Sequence, residues 1–540
     1  LATVWYWVFM IAYFIVILWI GASVYRRQKA AASAQEEHDD YWIRGRKTSA
    51  LVVGMSIAAG WLLLGFITWA IYNTYSYGLA GIWAMVVPWT ILLFCMVVLV
   101  PWVRRIKAIS QPQMLQARFG LALRVLVSPW NIIAFTVWAA ADLWSVSQYV
   151  APKFGVGDNV WIMYIVFAAP IAIYMWLGGF HAVLNSNIIQ FFMSISFVTI
   201  ITIVMGVLVA QRLPEGQSFW GYLGSIEPAF AQGSGKSALS LTSVLGVPFI
   251  FVSIIALLPG WVIEEDWWLK AQSGETTKKA RQGIWANLVY NIVWVLVASS
   301  VIGLMALVIY PPDGPAFTET LAGDPYNIMP VFLSTEFPDW ALVILFGLLA
   351  ALVMSTVATF TNVCALNLSY DVLQPLVYRK RGWSDSRIVL FSRFASLFMV
   401  GLSILFAFMI DALPQGLWDA YYISSGLLSA GVGVPVLAMF WKRATYAGAF
   451  IGSLSGAIIA FVVYMLEYYV WGDGTHVFWP QWLADTYLAY AFWAVIGGFV
   501  IMVVVSLLTP KPPQEKLDAI SAQPVDDHEE FFAGVRSHGG

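Results

Sequence analysis

The chain has 540 residues, 60% of them hydrophobic and only 11% charged, with a formal net charge of −2. Soluble domains carry about 25% charged residues, so this composition excludes an ordinary water-soluble globular protein and calls for an integral membrane protein in a lipid bilayer. The charge singles out no partner, nucleic acid is not expected as one, and Cys95 and Cys364 lie in apolar segments where neither a disulfide framework nor a zinc site is suggested.

A segment crossing ~30 Å of hydrocarbon needs about 20 residues, and about 13 such segments can be placed. They run approximately over 5–25, 50–77, 79–103, 122–150, 159–178, 183–210, 240–264, 284–310, 340–369, 386–411, 415–441, 445–470 and 487–508. The first is longer than a signal-peptide core and lacks a charged leader, so it is expected to be a true span. Span two contains Gly54, Gly60 and Gly65, which fit either close helix packing or an unwound helix. Span four carries Asp142 inside an apolar run. An acid there must face a cavity or a partner: it either recognises a cationic or hydroxyl-rich solute or makes a packing hydrogen bond.

Span seven holds Pro248 and then Leu258-Pro259-Gly260-Trp261, so a helix break is expected near Pro259. Glu264, Glu265 and Asp266 follow, and are expected near the cytoplasmic face. Span nine has Ser355, Thr356, Thr359, Thr361 and Asn362 within an apolar stretch. Such side chains either bond back to their own helix or face protein, water or an ion. Breaks in spans two and seven, which open successive groups of five, point to a transporter site between inverted halves. Carbonyl oxygens freed at a break, completed by Ser355 and Thr356, form a neutral oxygen set that suits a monovalent cation better than Ca2+.

All of the 28 Lys and Arg residues except Lys153, Arg212 and Lys236 fall on one side of this arrangement, which sets the N-terminus outside and the C-terminus in the cytoplasm. Residues 1–510 read as one transmembrane domain, with core repeats about 50–210 and 240–441. Residues 511–540 read as a polar, solvated cytoplasmic tail. Asp411 and Asp419 are expected to be solvated near the outer face. Most of the 28 tryptophans, Trp267 and Trp268 included, fit interfacial belts, whereas Trp61 and Trp261 lie beside the two breaks.

Several stretches together resemble the sodium:solute symporter family. GMSIAAGW in span two is similar to G-[LM]-S-x-A-A-x-W, and QPQMLQARFG (111–120) to T-x-P-E-Y-L-x-x-R-F-G. Gly178-Gly179-Phe180-His181-Ala182-Val183, with Ile188, Ile189 and Gln190, resembles G-G-x-x-A-V-x-x-x-D-x-[IV]-Q. ALVMST (351–356) resembles A-A-x-M-S-T, and Phe440-Trp441-Lys442-Arg443, with Gly448, Ala449 and Gly452, resembles F-W-K-R-x-x-x-x-G-A-x-x-G. The resemblance implies an all-α polytopic membrane protein with a LeuT-like five-plus-five inverted-repeat core, not an enzyme. It further implies sodium as coupling ion and a small organic solute as cargo, carried across the plasma membrane, in bacteria the inner one. By motif position the sodium ligands are Ala59, Leu62 and Leu352 through backbone oxygens, and Ser355 and Thr356 through hydroxyls. The solute pocket takes Phe66, Trp261 and Tyr421, with Trp61 and Asp142 as further candidates. Three departures stand out: Asn187 where most members carry Asp, the acidic PGWVIEEDWWLK, and SSGLLSAGVG where a Pro-Gly pair is usual. Solute identity therefore does not transfer. Proton coupling, or a solute sensor on the same scaffold, are the alternatives.

Overall fold

Lipid offers the backbone no hydrogen bonds, so a chain of this composition satisfies its amides within helices. The computed structural model describes residues 2–30, 34–242, 246–414, 416–471, 479–484, 486, 488–518, 520–521 and 523–537. Among these the only β contact is a bridge between Thr48 and Gly274, and the rest is helices and their connections. The first half holds α1 (Ala2–Lys29), the pair α2 (Ala50–Trp61) and α3 (Leu64–Tyr77), α4 (Val86–Val103), α5 (Leu121–Phe154) and α6 (Trp161–Arg212). The second half opens with the pair α7 (Gly246–Val262) and α8 (Glu265–Ser273). It continues with α9 (Thr277–Ile309), α10 (Asp339–Tyr378), α11 (Asp385–Ile410) and α12 (Leu417–Ala438). Two more long helices, α13 (Tyr446–Val470) and α14 (Ala489–Leu508), pack on each other, and a short α15 (His528–Ser537) lies in the tail.

Eleven continuous helical stretches among the described residues are long and apolar enough to cross a membrane. Two of them, 64–103 and 161–212, each take in parts of two expected spans. As one straight rod the 52 residues of α6 would measure about 78 Å, more than twice the hydrocarbon thickness. The rod is interrupted at Gly179 (φ 52°, ψ −143°), where a Cβ would collide with the Tyr41 ring. Expected spans five and six are the two limbs on either side of that glycine. Spans two and three meet similarly at Gly78, whose φ is 63°.

The helix α10, largely apolar with hydroxyl and amide side chains at its centre, packs on α1, α5 and α6. α2 packs on α6, α9 and α10. The N-terminus of α2 and the C-terminus of α8 are joined by Thr48 N–H to the Ser273 carbonyl (3.1 Å) and Glu275 N–H to the Thr48 carbonyl (3.0 Å).

Several expectations change. Glu264, Glu265 and Asp266 are fully buried at the junction of α7 and α8. The apolar run ends at 264, but the helical stretch continues to Ser273, so the acids lie within it, toward its C-terminal end. Trp267 and Trp268 are buried with them and belong to no interfacial belt. Asp419 is buried and accepts a hydrogen bond from the Tyr464 hydroxyl (3.0 Å). Residues 528–537 form α15, with Phe531 and Val535 buried against Trp42, Ile109, Phe180 and Leu366. A polar composition hid the two apolar residues, one turn apart, that dock this part of the tail.

Candidate ion and solute site

The first break falls at Leu62 (φ −85°, ψ 67°) and Leu63 (φ −68°, ψ 132°), between α2 and α3. The glycines of this span serve packing instead. A Cβ on Gly54 would lie 2.7 Å from the Gly283 carbonyl oxygen, and one on Gly60 would lie 2.8 Å from Thr359 Oγ1. Gly65 admits the Tyr421 hydroxyl.

The second break, expected near Pro259, falls about one turn beyond it, at Ile263–Glu264. Proline frees backbone groups, but Ser429 of α12 takes them up. Its Oγ accepts from Gly260 N–H (2.8 Å) and donates to the Leu257 carbonyl (3.1 Å). Thus α7 continues through Pro259 to Val262, as helices in membranes do when a neighbour re-satisfies the backbone. The two breaks are tied together: Trp61 Nε1 donates to Asp266 Oδ2 at 2.7 Å.

Ala59 lies in the last turn of α2, where carbonyls lose their helical partners. Ser355 Oγ stands 2.8 Å from the Ala59 carbonyl oxygen and 2.7 Å from that of Leu352. Thr356 Oγ1 is 3.4 Å from the same Leu352 oxygen. Ala59, Leu352, Ser355 and Thr356 therefore converge, with Leu62 in the adjoining break, and all five are buried. The donor set is neutral oxygen, which fits a small monovalent cation. Thr361 instead bonds back to the Val357 carbonyl (2.6 Å), a packing role.

Beside this cluster, Asn187 Nδ2 donates to Ser56 Oγ (2.8 Å) and to the Ser56 carbonyl (3.2 Å). Lys270, expected among the solvated basic residues, is buried, with Nζ 3.1 Å from the same carbonyl and 3.3 Å from Asp266.

A contracted cavity of about 10 Å³ lies between the breaks, lined by Leu63, Phe66, Trp89, Trp138, Trp261, Glu264, Phe360 and Tyr421. Phe66, Trp261 and Tyr421 were expected there. Trp61 is one layer behind, its ring 5.1 Å from that of Trp89. Asp142 is adjacent to the wall: its Oδ1 accepts Gly65 N–H at 2.8 Å and caps the N-terminal turn of α3. Asp142 therefore holds the start of the half-helix bearing Phe66. Trp89, Trp138, Phe360 and Glu264 escaped the sequence reading. Two of them carried a signal, because Trp138 is one turn before Asp142 on α5 and Phe360 one turn after Thr356 on α10, which puts each pair on one face.

Glu265 is satisfied differently from Glu264. Its carboxylate accepts from Gln111 N–H (3.1 Å), Asn131 Nδ2 (2.9 Å) and Asn367 Nδ2 (2.6 Å). Asp371, nearby on α10, pairs with Arg124 Nε at 2.8 Å. These contacts close one side of the α7–α8 junction.

Two interrupted helices, held against the intact helix α10 and enclosing a cavity between them, define a polytopic membrane transporter. The sodium:solute symporter family model matches residues 41–456, and the chain belongs to that family. It is 25% identical over 496 residues to a sodium/proline symporter of Haemophilus influenzae, covering 89% of this chain and 91% of that one. It is 23% identical over 536 residues to a sodium/proline symporter of Staphylococcus aureus, covering 94% of each. A solved Na+-coupled sialic acid symporter, substrate-bound and outward-open, shares the fold with a TM-score of 0.71 at 17% identity, over 94% of this chain and 98% of that one.

Proposed function

We propose that the chain carries out sodium-coupled symport of a small organic solute by alternating access. Sodium is held by the carbonyl oxygens of Ala59, Leu62 and Leu352 and the hydroxyls of Ser355 and Thr356, and the solute by the cavity walled by Phe66, Trp261 and Tyr421. The observation that carries this reading is the placement of Ser355 Oγ within 2.8 Å of two carbonyl oxygens, one on each side of the α2–α10 contact. A cation there exchanges those two hydrogen bonds for coordination and clamps α2 to α10. Asp142, which caps Gly65 at the start of α3, passes that change to the half-helix that bears Phe66. One charge moving down ~100 mV supplies about 2.3 kcal/mol, enough for more than tenfold accumulation before any concentration gradient is counted.

Uptake into proteoliposomes under an imposed sodium gradient tests the reading. The Ser355→Ala/Thr356→Ala double variant should lose sodium dependence while inserting at normal abundance, and unchanged sodium dependence would remove the site assignment. Proton coupling has one observation in its favour: the Lys270 ammonium already stands on the Ser56 carbonyl, one turn from Ala59. Uptake driven by a pH gradient in sodium-free medium would select that second reading.

A further inference from the structure

The cavity wall joins aromatic faces to a carboxylate that has no direct hydrogen-bond or ion-pair partner among the described residues, the nearby Lys270 being paired with Asp266. Phe66 and Trp89 meet at 4.6 Å between ring centroids, Trp89 and Trp261 at 5.2 Å, and Trp138 and Phe360 at 5.6 Å. Glu264 is 1% exposed, and neither of its carboxylate oxygens has a hydrogen-bond partner among the described residues. Its neighbours in sequence are provided for: Asp266 has Lys270 and Trp61, and Glu265 has two amides and a backbone N–H. Glu264 alone of the three is turned into the cavity. An unpaired buried carboxylate is costly in any protein interior and more so within a membrane, so a cation is the group that completes this wall.

The same wall offers nothing for an anion. No Lys or Arg is among the lining residues. The N-terminus of a half-helix is the usual receptor for a solute carboxylate in this architecture, yet that of α3 is taken by Asp142 through Gly65 N–H (2.8 Å). The other half-helix, α8, begins at Glu264 itself. Close to Gly65, Asp142 Oδ2, Ser145 Oγ and the Tyr421 hydroxyl are buried without hydrogen-bond partners among the described residues. They flank Gly65 beside the cavity wall and remain free to bond a hydroxyl or an N–H. Aromatic faces around a carboxylate recognise alkylated ammonium groups through cation–π attraction and charge together.

We infer that the solute of this transporter is a compact organic cation, a quaternary or alkylated ammonium whose head group packs among Trp89, Trp138 and Trp261 against Glu264, with no carboxylate required. This rests on the symport reading above and names the solute class for its cavity. A hydroxyl on the far end of such a solute reaches Tyr421 and Asp142.

The test uses the purified full chain, in sodium, with four probes. These are choline, its neutral carbon isostere 3,3-dimethyl-1-butanol, glycine betaine (the same head with a carboxylate) and proline. Thermal stabilisation and counterflow in proteoliposomes are read for each. Choline should stabilise and exchange at concentrations at least tenfold below those at which the neutral isostere or proline acts. Glu264→Gln should weaken choline at least tenfold, and a retained sodium-induced stabilisation would show that this variant is folded. The inference is overturned if the neutral isostere matches choline, if Glu264→Gln keeps wild-type choline affinity, or if proline is preferred. If sodium stabilises the protein but choline neither binds nor exchanges, the solute class fails and symport stands. If sodium has no effect and no probe exchanges, the symport reading itself fails.

Discussion

At the scale of single residues, the site is built from side chains whose usual partners have been withdrawn or diverted. Asp142 is the clearest example. Its sequence context favoured a structural hydrogen bond over solute recognition, and the structure shows it capping Gly65 at the start of α3. Asp142→Asn should cost about 1 kcal/mol as a weakened cap, measured as a lower midpoint of thermal unfolding, and it should also uncouple solute binding from sodium. Gly54 gives a second prediction. A methyl group there would lie 2.7 Å from a backbone oxygen that cannot rotate away, so Gly54→Ala should destabilise by about 1–3 kcal/mol. A wild-type melting curve for that variant would remove the packing role assigned to this glycine. Glu264 was visible in the sequence as an oddity but not as part of the cavity wall, since hydropathy reports where apolar residues stop and not where a helix ends. The polar half-helix α8 is buried by its neighbours rather than by lipid.

At the scale of elements, existence and order were more legible than interruption. The apolar runs marked the long helices, because the bilayer imposes one length on all of them. The breaks obeyed tertiary rather than local rules. Pro259, the strongest breaker in span seven, remains helical because Ser429 on another helix replaces what proline removes. Leu62 and Leu63, both good helix formers, open the chain because Asp142 and Ser355 satisfy the ends on either side. Ser429→Ala should therefore leave Gly260 N–H and the Leu257 carbonyl unmatched and cost about 1–3 kcal/mol. Hydrogen exchange localised to 257–263 would show it, and exchange unchanged there would mean the kink is held by something else. The oxygen cluster was the most legible part of the site. It depends on spacing within two helices, whereas the cavity draws on six separate helices whose meeting no local pattern announces.

At the scale of the whole molecule, distant segments of the chain gather at one end of the bundle. Arg104 pairs with Asp526 (2.9 Å), Lys107 with Glu530 (2.7 Å), and the Arg46 guanidinium lies 4.0 Å from the Phe531 ring centre. The tail thereby joins the loop before α2, the loop after α4 and the start of α9. Burial acts to raise the Asp526 carboxyl, but hydrogen bonds from Thr277 and Arg104 outweigh it and hold the group below the ordinary 3.8. A lowered folded value means that its contribution is complete above that pH and is lost as pH falls through the lowered value. A spin label at Glu529→Cys should accordingly become mobile only under strongly acidic conditions, and at neutral pH when Asp526→Asn is added.

The central claim is that a cation at Ser355 and Thr356 is sensed by the cavity beside it. The cavity contains Trp89, Trp138 and Trp261, so a sodium titration followed by tryptophan fluorescence in the purified protein tests that claim most directly. The wild type should show a saturable change, and the Ser355→Ala/Thr356→Ala double variant should need at least about tenfold more sodium, equivalent to about 1.4 kcal/mol. The same midpoint in both proteins would contradict the account.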